Sequence, residues 1–107
     1  MILYIDKEQI PYRFEVELDG EVYTFEIHYN SECDFFTVDL YLNNEVIVYG
    51  ETLILNRPLF LAYAVKRIPK TQIIPRDTTG TEHRITYKNL GETVFLHVGE
   101  ENETVQT

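Results

Sequence analysis

The stretch Ile10-Pro-Tyr-Arg-Phe-Glu-Val-Glu-Leu-Asp-Gly-Glu-Val-Tyr-Thr-Phe-Glu-Ile-His-Tyr29 decides the fold. Ile10, Tyr12, Phe14, Val16 and Leu18 alternate with Pro11, Arg13, Glu15, Glu17 and Asp19. A period of two turns one face of a strand inward and leaves the other wet. Asp19-Gly20 then supplies the dipeptide of a tight hairpin turn, because both residues tolerate positive φ at low cost. The return strand repeats the alternation, with Tyr23, Phe25, Ile27 and Tyr29 on one side and Val22, Thr24, Glu26 and His28 on the other.

Downstream, residues 30–34 are polar and turn-rich, after which Phe36, Val38, Leu40 and Leu42 alternate with Phe35, Thr37, Asp39 and Tyr41. Asn43-Asn44 closes a second hairpin onto a partner strand at 46–49. Gly50 marks a bend or bulge, and 52–56 continues as a strand that Pro58 should end. Between Arg57 and Lys70 the alternation fails, and the interval between Pro58 and Pro69 has room for a helix of at most two turns. A short strand at 72–74 precedes Pro75, residues 76–80 carry turn chemistry, and strands at 84–87 and 93–98 are expected to pair across Asn89-Leu90-Gly91. The reading is all-β: a small antiparallel β-sandwich or partly closed barrel of seven or eight strands with at most one short helix. It forms a single domain over 1–98, followed by a flexible acidic tail at 99–107.

Composition agrees. In 107 residues there are eight Tyr and six Phe, with Val and Ile plentiful and Ala confined to positions 62 and 64, a mixture that suits pleated sheets better than helices. The net charge of −9 opposes attraction to nucleic acid or anionic lipid. Charge is also divided along the chain, with 12 acidic and two basic residues in 1–51 against three and seven in 52–98. Either the halves form separate surfaces of opposite charge, which favours ordered packing against neighbours, or their strands interleave and the polarity cancels. A single cysteine allows no internal disulfide, and the apolar runs are too short and interrupted for a membrane span or an export leader.

No chemistry-bearing constellation stands out. His28, His83 and His97 match none of the compact spacings of zinc ligands, and His28 and His97 fall on outer strand faces, so they read as surface histidines. Cys33 lies in a turn between Glu32 and Asp34, whose negative charge disfavours a thiolate. Asp34 with Asp39, or Glu15 with Glu26, could be imagined as the acid and base of a hydrolase, but they read as solvated faces or partners for Arg. The glycines at 20, 50, 80, 91 and 99 are isolated and make no phosphate loop. Tyr12, Tyr23, Tyr29, Tyr41 and Tyr49 lie on acidic strands, unlike the basic stacking platforms that bind single-stranded nucleic acid, and read as core and interface residues. The chain is expected to be no enzyme and to need no cofactor or metal.

Ile10-Pro-Tyr-Arg-Phe-Glu-Val-Glu-Leu-Asp-Gly20, Phe25-Glu-Ile-His-Tyr-Asn30 and Asp34-Phe-Phe-Thr-Val-Asp-Leu-Tyr41 form an ordered string of short motifs. It continues through Val48-Tyr-Gly-Glu51, Arg57-Pro-Leu-Phe60, Ile73-Ile-Pro-Arg-Asp77 and Asn89-Leu-Gly-Glu-Thr-Val-Phe95. In order and spacing this string resembles the small baseplate "plug" proteins encoded in the tail-gene clusters of tailed phages and prophages. The resemblance implies a virion component at the tip of the tail tube, in several copies, assembled in the bacterial host cytoplasm. It would pack against hub, spike and tail-tube proteins and help to close the channel, with no catalytic residues. The motif residues Asp34, Phe35, Phe36, Tyr49, Gly50, Arg57 and Pro58 are then fold determinants near an interface. The alternative is a carbohydrate-binding β-sandwich module: exposed aromatics gathered in one shallow groove favour it, and aromatics spread over several flat patches favour assembly.

Overall fold

The computed structural model describes residues 1–61 and 67–99. Seven strands run in the order β1 (Ile2–Leu3), β2 (Tyr12–Leu18), β3 (Glu21–Asn30), β4 (Phe35–Leu42), β5 (Glu45–Thr52), β6 (Ile73–Asp77) and β7 (Val94–Val98). A 3-10 turn at Lys7–Gln9 is the only helical element among the described residues. The strands form two antiparallel sheets, a four-stranded meander β2-β3-β4-β5 and a three-stranded sheet β1-β7-β6, and these do not close into a barrel.

The first hairpin follows from its alternation. Phe14 lies opposite Phe25 and Tyr12 opposite Ile27, and Phe25 in turn faces Leu40. Phe25, Ile27, Phe36, Val38 and Leu40 are fully buried, with Phe14 stacked on Phe25 at 5.6 Å between ring centroids. Val94, Leu96, Val98 and Ile73 of the smaller sheet belong to the same apolar cluster. Both two-residue turns have positive φ throughout, 56° and 81° at Asp19-Gly20 and 54° and 65° at Asn43-Asn44. That is the hairpin geometry whose twist matches the flanking strands. The Asp19 carboxylate also accepts the amides of Lys70 and Thr71 at 2.6 and 3.0 Å, tying this turn to the far side of the chain.

Three expectations are corrected. The strands expected at 46–49 and 52–56 are one strand, β5, which passes through Gly50, while Leu53–Asn56 leaves the sheet. This segment crosses to the smaller sheet, its Leu53 amide on the Phe36 carbonyl at 3.0 Å and its Asn56 amide on the Pro75 carbonyl at 2.7 Å. Second, β6 does not stop before Pro75 but runs through it. Pro75 lies opposite Leu96 at a position where its nitrogen and carbonyl both point away from β7, so the ladder loses no donor. Third, residues 84–87 are not a strand: β7 pairs with β6 and with β1, a strand the sequence reading missed. The 82–94 loop is organised instead by buried Asn89. Its side chain accepts the Thr86 amide and donates to Glu82 and the Arg84 carbonyl, and its own carbonyl takes the amides of Glu92, Thr93 and Val94. Of the two arrangements that the divided charge allowed, the structure keeps most of the division, with only Ile2–Leu3 of the acidic half joining the smaller sheet. The larger sheet is built entirely from residues 12–52, which hold ten acidic side chains against Arg13 alone. Within the interval between Pro58 and Pro69, where a short helix was expected, residues 62–66 lie outside the described residues, as do residues 100–107 of the expected tail.

Two outcomes follow from this packing. Phe25→Ala should lower the unfolding free energy by about 3–5 kcal/mol in a urea titration, the usual loss for a fully buried aromatic truncated in a tight core. The second concerns acid. Partial burial raises the pKa of Asp77, but the amides of Glu82, Thr79 and Thr81 and the Thr79 hydroxyl outweigh it and hold the carboxyl at about 2, below its ordinary 3.8. A depressed folded-state pKa adds stability above the ordinary value that is lost as pH falls through the folded value. Thermal melts should therefore show the advantage of the wild type over Asp77→Asn as constant above about pH 5 and narrowing between about pH 4 and pH 2.

Candidate functional site

The motif residues fall into three groups, held together by the β4 strand and the segment that leaves β5. Asp34 sits at the mouth of the β3–β4 turn with φ 58°, a conformation that Asp tolerates better than most residues. One carboxylate oxygen, Oδ1, accepts the Tyr29 hydroxyl at 2.7 Å and the Tyr87 amide at 2.8 Å; the other faces Arg84 at 3.7 Å. The Tyr29 hydroxyl, then the Tyr87 amide and Arg84, hold the Asp34 carboxyl below the usual carboxylate range, and the same bond to Asp34 pushes the Tyr29 phenol up. Tyr29, Phe36 and Tyr87 close the group with ring centroids 4.8 to 6.1 Å apart. Asp34 thus fastens the first meander to the Asn89 loop. Phe36 is fully buried beneath it, while Phe35 points to the opposite face and is half-buried.

Tyr49 and Gly50 form the second group. Opposite them, β4 offers only Asp39 between the pairs Leu40–Val48 and Val38–Glu51, so two residues of β5 face one of β4. Gly50 absorbs the extra residue at φ 78°, and its amide donates to buried Asp39 Oδ1 at 2.8 Å. The bulge turns Tyr49 outward, 76% exposed, on an edge strand that also exposes Val46. The third group, Arg57 and Pro58, lies where the chain crosses between the sheets; Arg57 is exposed and Pro58 half-buried. Just beyond, Leu59 donates to the Ile73 carbonyl at 2.8 Å and Phe60 to Glu51 Oε2 at 2.8 Å.

The imagined acid–base pairs do not form. Glu26 lies opposite Asp39 and next to Arg13, whereas Glu15 lies opposite Thr24 and is exposed. What the sequence reading missed is a cluster on the outer face of the larger sheet, where His28 Nε2 stands 3.2 Å from both Glu26 Oε2 and Asp39 Oδ2. The signal was present in two parts, Glu26 and His28 two residues apart on one face, and Asp39 opposite Glu26 once the hairpin register is known. Cys33 is exposed in its turn, as is His83. The depressions lined by described residues measure 230–540 Å³ and open at loop ends. Among the described residues, the most exposed tyrosines are Tyr4 just after β1, Tyr49 in β5 and Tyr87 in the 82–94 loop, in separate parts of the chain.

Two sheets over a common core, edge strands at β2 and β5 and scattered outward aromatics describe a small all-β protein with surfaces for packing against neighbours, and sequence comparison supplies the family. The chain belongs to the baseplate plug family described as "Cyanophage baseplate Pam3 plug gp18", whose model matches residues 2–101. Its place is therefore the virion tail baseplate, in contact with other baseplate proteins. A comparison with curated proteins returned no match.

The bulge gives a clean test of what holds this surface. A Cβ on Gly50 would meet no atom within 4 Å, so Gly50→Ala adds backbone strain alone. The substitution should cost about 1–2 kcal/mol in denaturant unfolding, the usual penalty for an L residue in the left-handed region. An unchanged midpoint would mean that the bulge relaxes freely.

Proposed function

We propose that this chain is the plug of a phage or prophage baseplate, packing against the hub and spike proteins at the end of the tail tube and helping to keep the channel closed until infection. The observation that carries this reading is the family match over 2–101, nearly the whole chain. Physical features support it. The larger sheet ends in two edge strands, β2 and β5, whose outward backbone groups can be completed by strands of a neighbour. β5 offers Tyr49 and Val46 beside that edge, a pairing of aromatic and aliphatic anchors suited to a protein contact. The acidic charge gathered on the same sheet favours basic surfaces on the partner and gives the contact its orientation. Several copies per virion would be assembled in the host cytoplasm, where a fold that uses no disulfide is at no disadvantage. Asp34 and Phe36 act by holding the fold, and Tyr49, Gly50, Arg57 and Pro58 by shaping the surface offered to neighbours.

Co-expression with the hub protein encoded beside it, followed by size-exclusion chromatography with light scattering, tests the assignment. A stoichiometric complex is expected at moderate salt and should weaken as salt is raised, because screening shortens the reach of surface charge. Tyr49→Arg should reduce the affinity at least about tenfold while leaving the melting temperature in place. A chain that elutes alone and monomeric against every neighbouring tail protein would sink the plug reading, and glycan arrays would then test the carbohydrate alternative.

A further inference from the structure

We propose that the outer face of the four-stranded sheet carries a divalent transition-metal site, suited to zinc, formed by Glu26, His28 and Asp39. The register makes it. Glu26 and Asp39 are direct cross-strand partners, and His28 lies two residues beyond Glu26 on the same face. Glu26 Oε2, His28 Nε2 and Asp39 Oδ2 all lie within 4.8 Å of one another, the imidazole nitrogen 3.2 Å from each oxygen.

Those separations leave room for a shared ion between the three groups. Charge-assisted N–H···O bonds settle near about 2.7–2.9 Å, and a single Nε2–H shared by two oxygens gives only a bifurcated contact, weaker to each. Ligand atoms about 2.0–2.2 Å from a tetrahedral zinc, by contrast, stand about 3.3–3.5 Å apart. One imidazole nitrogen with two carboxylate oxygens is a donor set that zinc accepts, and two carboxylates neutralise its charge.

The outer oxygens of both carboxylates are already engaged, which leaves the inner ones aimed at a common point. Glu26 Oε1 accepts Arg13 Nε at 3.0 Å and the Tyr41 hydroxyl at 3.1 Å. Asp39 Oδ1 accepts the Gly50 amide at 2.8 Å, so the bulge that turns Tyr49 outward also orients a ligand. Such outer bonds fix ligand orientation at metal sites. Asp39 is buried and Glu26 half-buried, whereas the His28 side chain is 39% exposed, so the remaining coordination position faces outward. Water or a donor from a neighbouring protein would fill it.

The test is titration of the chelator-treated full chain with zinc by calorimetry, and with cobalt(II) by visible absorption. We expect one ion per chain and the visible bands of a low-symmetry cobalt site. His28→Gln and Glu26→Gln should each weaken zinc by about tenfold or more with unchanged circular dichroism. Absence of saturable binding would overturn the proposal, as would undiminished binding in a folded His28→Gln chain, which would place the ion elsewhere. Should His28→Gln fail to fold, Glu26→Gln decides: weakened binding upholds the site and unchanged binding removes it. The outcome is independent of the baseplate role.

Discussion

The open edge of β6 is answered by the chain that leaves β5, and the two-sheet arrangement depends on that pairing. The amides of Asn56 and Leu59 reach the carbonyls of Pro75 and Ile73, while a few residues earlier Leu53 still holds the Phe36 carbonyl of the larger sheet. One short segment is therefore bonded to both sheets and fixes how they face each other. It also covers an edge that would otherwise offer unpaired acceptors to any passing strand. Pro75 belongs to the same solution, since it presents a carbonyl to the segment and no amide that would need an acceptor. With β6 covered, the open edges of longer strands are β2 and β5, so the fold itself restricts where neighbours can add.

The outer face of the larger sheet is organised by a different rule. Ten acidic side chains between residues 12 and 52 would repel one another on a bare surface. Cross-strand pairing reduces this by setting Arg13 against Glu26, and Arg13 lies over the Tyr41 ring at 4.5 Å as well. Desolvation raises the pKa of Glu26, but the hydrogen bonds from Tyr41 and Arg13, with the charges of Arg13 and His28, outweigh it and keep the carboxyl below its ordinary range. Asp39 is drawn further in, where the Gly50 amide gives it a backbone partner. A buried carboxylate requires such partners, and here the partner is also the residue that creates the bulge. The shape of the β5 edge and the electrostatics of the sheet face are consequently coupled through one hydrogen bond.

Much of this was legible before any coordinates. Alternation at Ile10–Leu18 and Tyr23–Tyr29 assigned the inward residues, and Asp19-Gly20 and Asn43-Asn44 marked both turns, because side-chain period and positive-φ tolerance are local properties. Gly50 was read as a bend or bulge for the same reason. The ordered motifs from Ile10 to Phe95 also carried the family resemblance, which the match over 2–101 bears out. The errors came where local pattern had to compete with distant partners. Residues 84–87 alternate well enough for a strand, but Asn89 bonds to Thr86, Arg84 and Glu82 and claims that loop for itself. Ile2–Leu3 is too short to show any period and is a strand only because β7 lies beside it.

By itself, then, the sequence determined an all-β chain, its two tight turns, its inward faces and its divided charge, since each depends on neighbours within a few positions or on composition. Only the tertiary structure decided that the sheets stay open rather than closing into a barrel, that β7 joins β6 and β1, and that the larger sheet is built from the acidic half alone. The same holds for the meeting of Glu26, His28 and Asp39. These outcomes rest on backbone donors finding acceptors far along the chain, as Val98 does at the Met1 carbonyl. Such pairings are selected by the geometry of two sheets packing over one core, which no local period encodes.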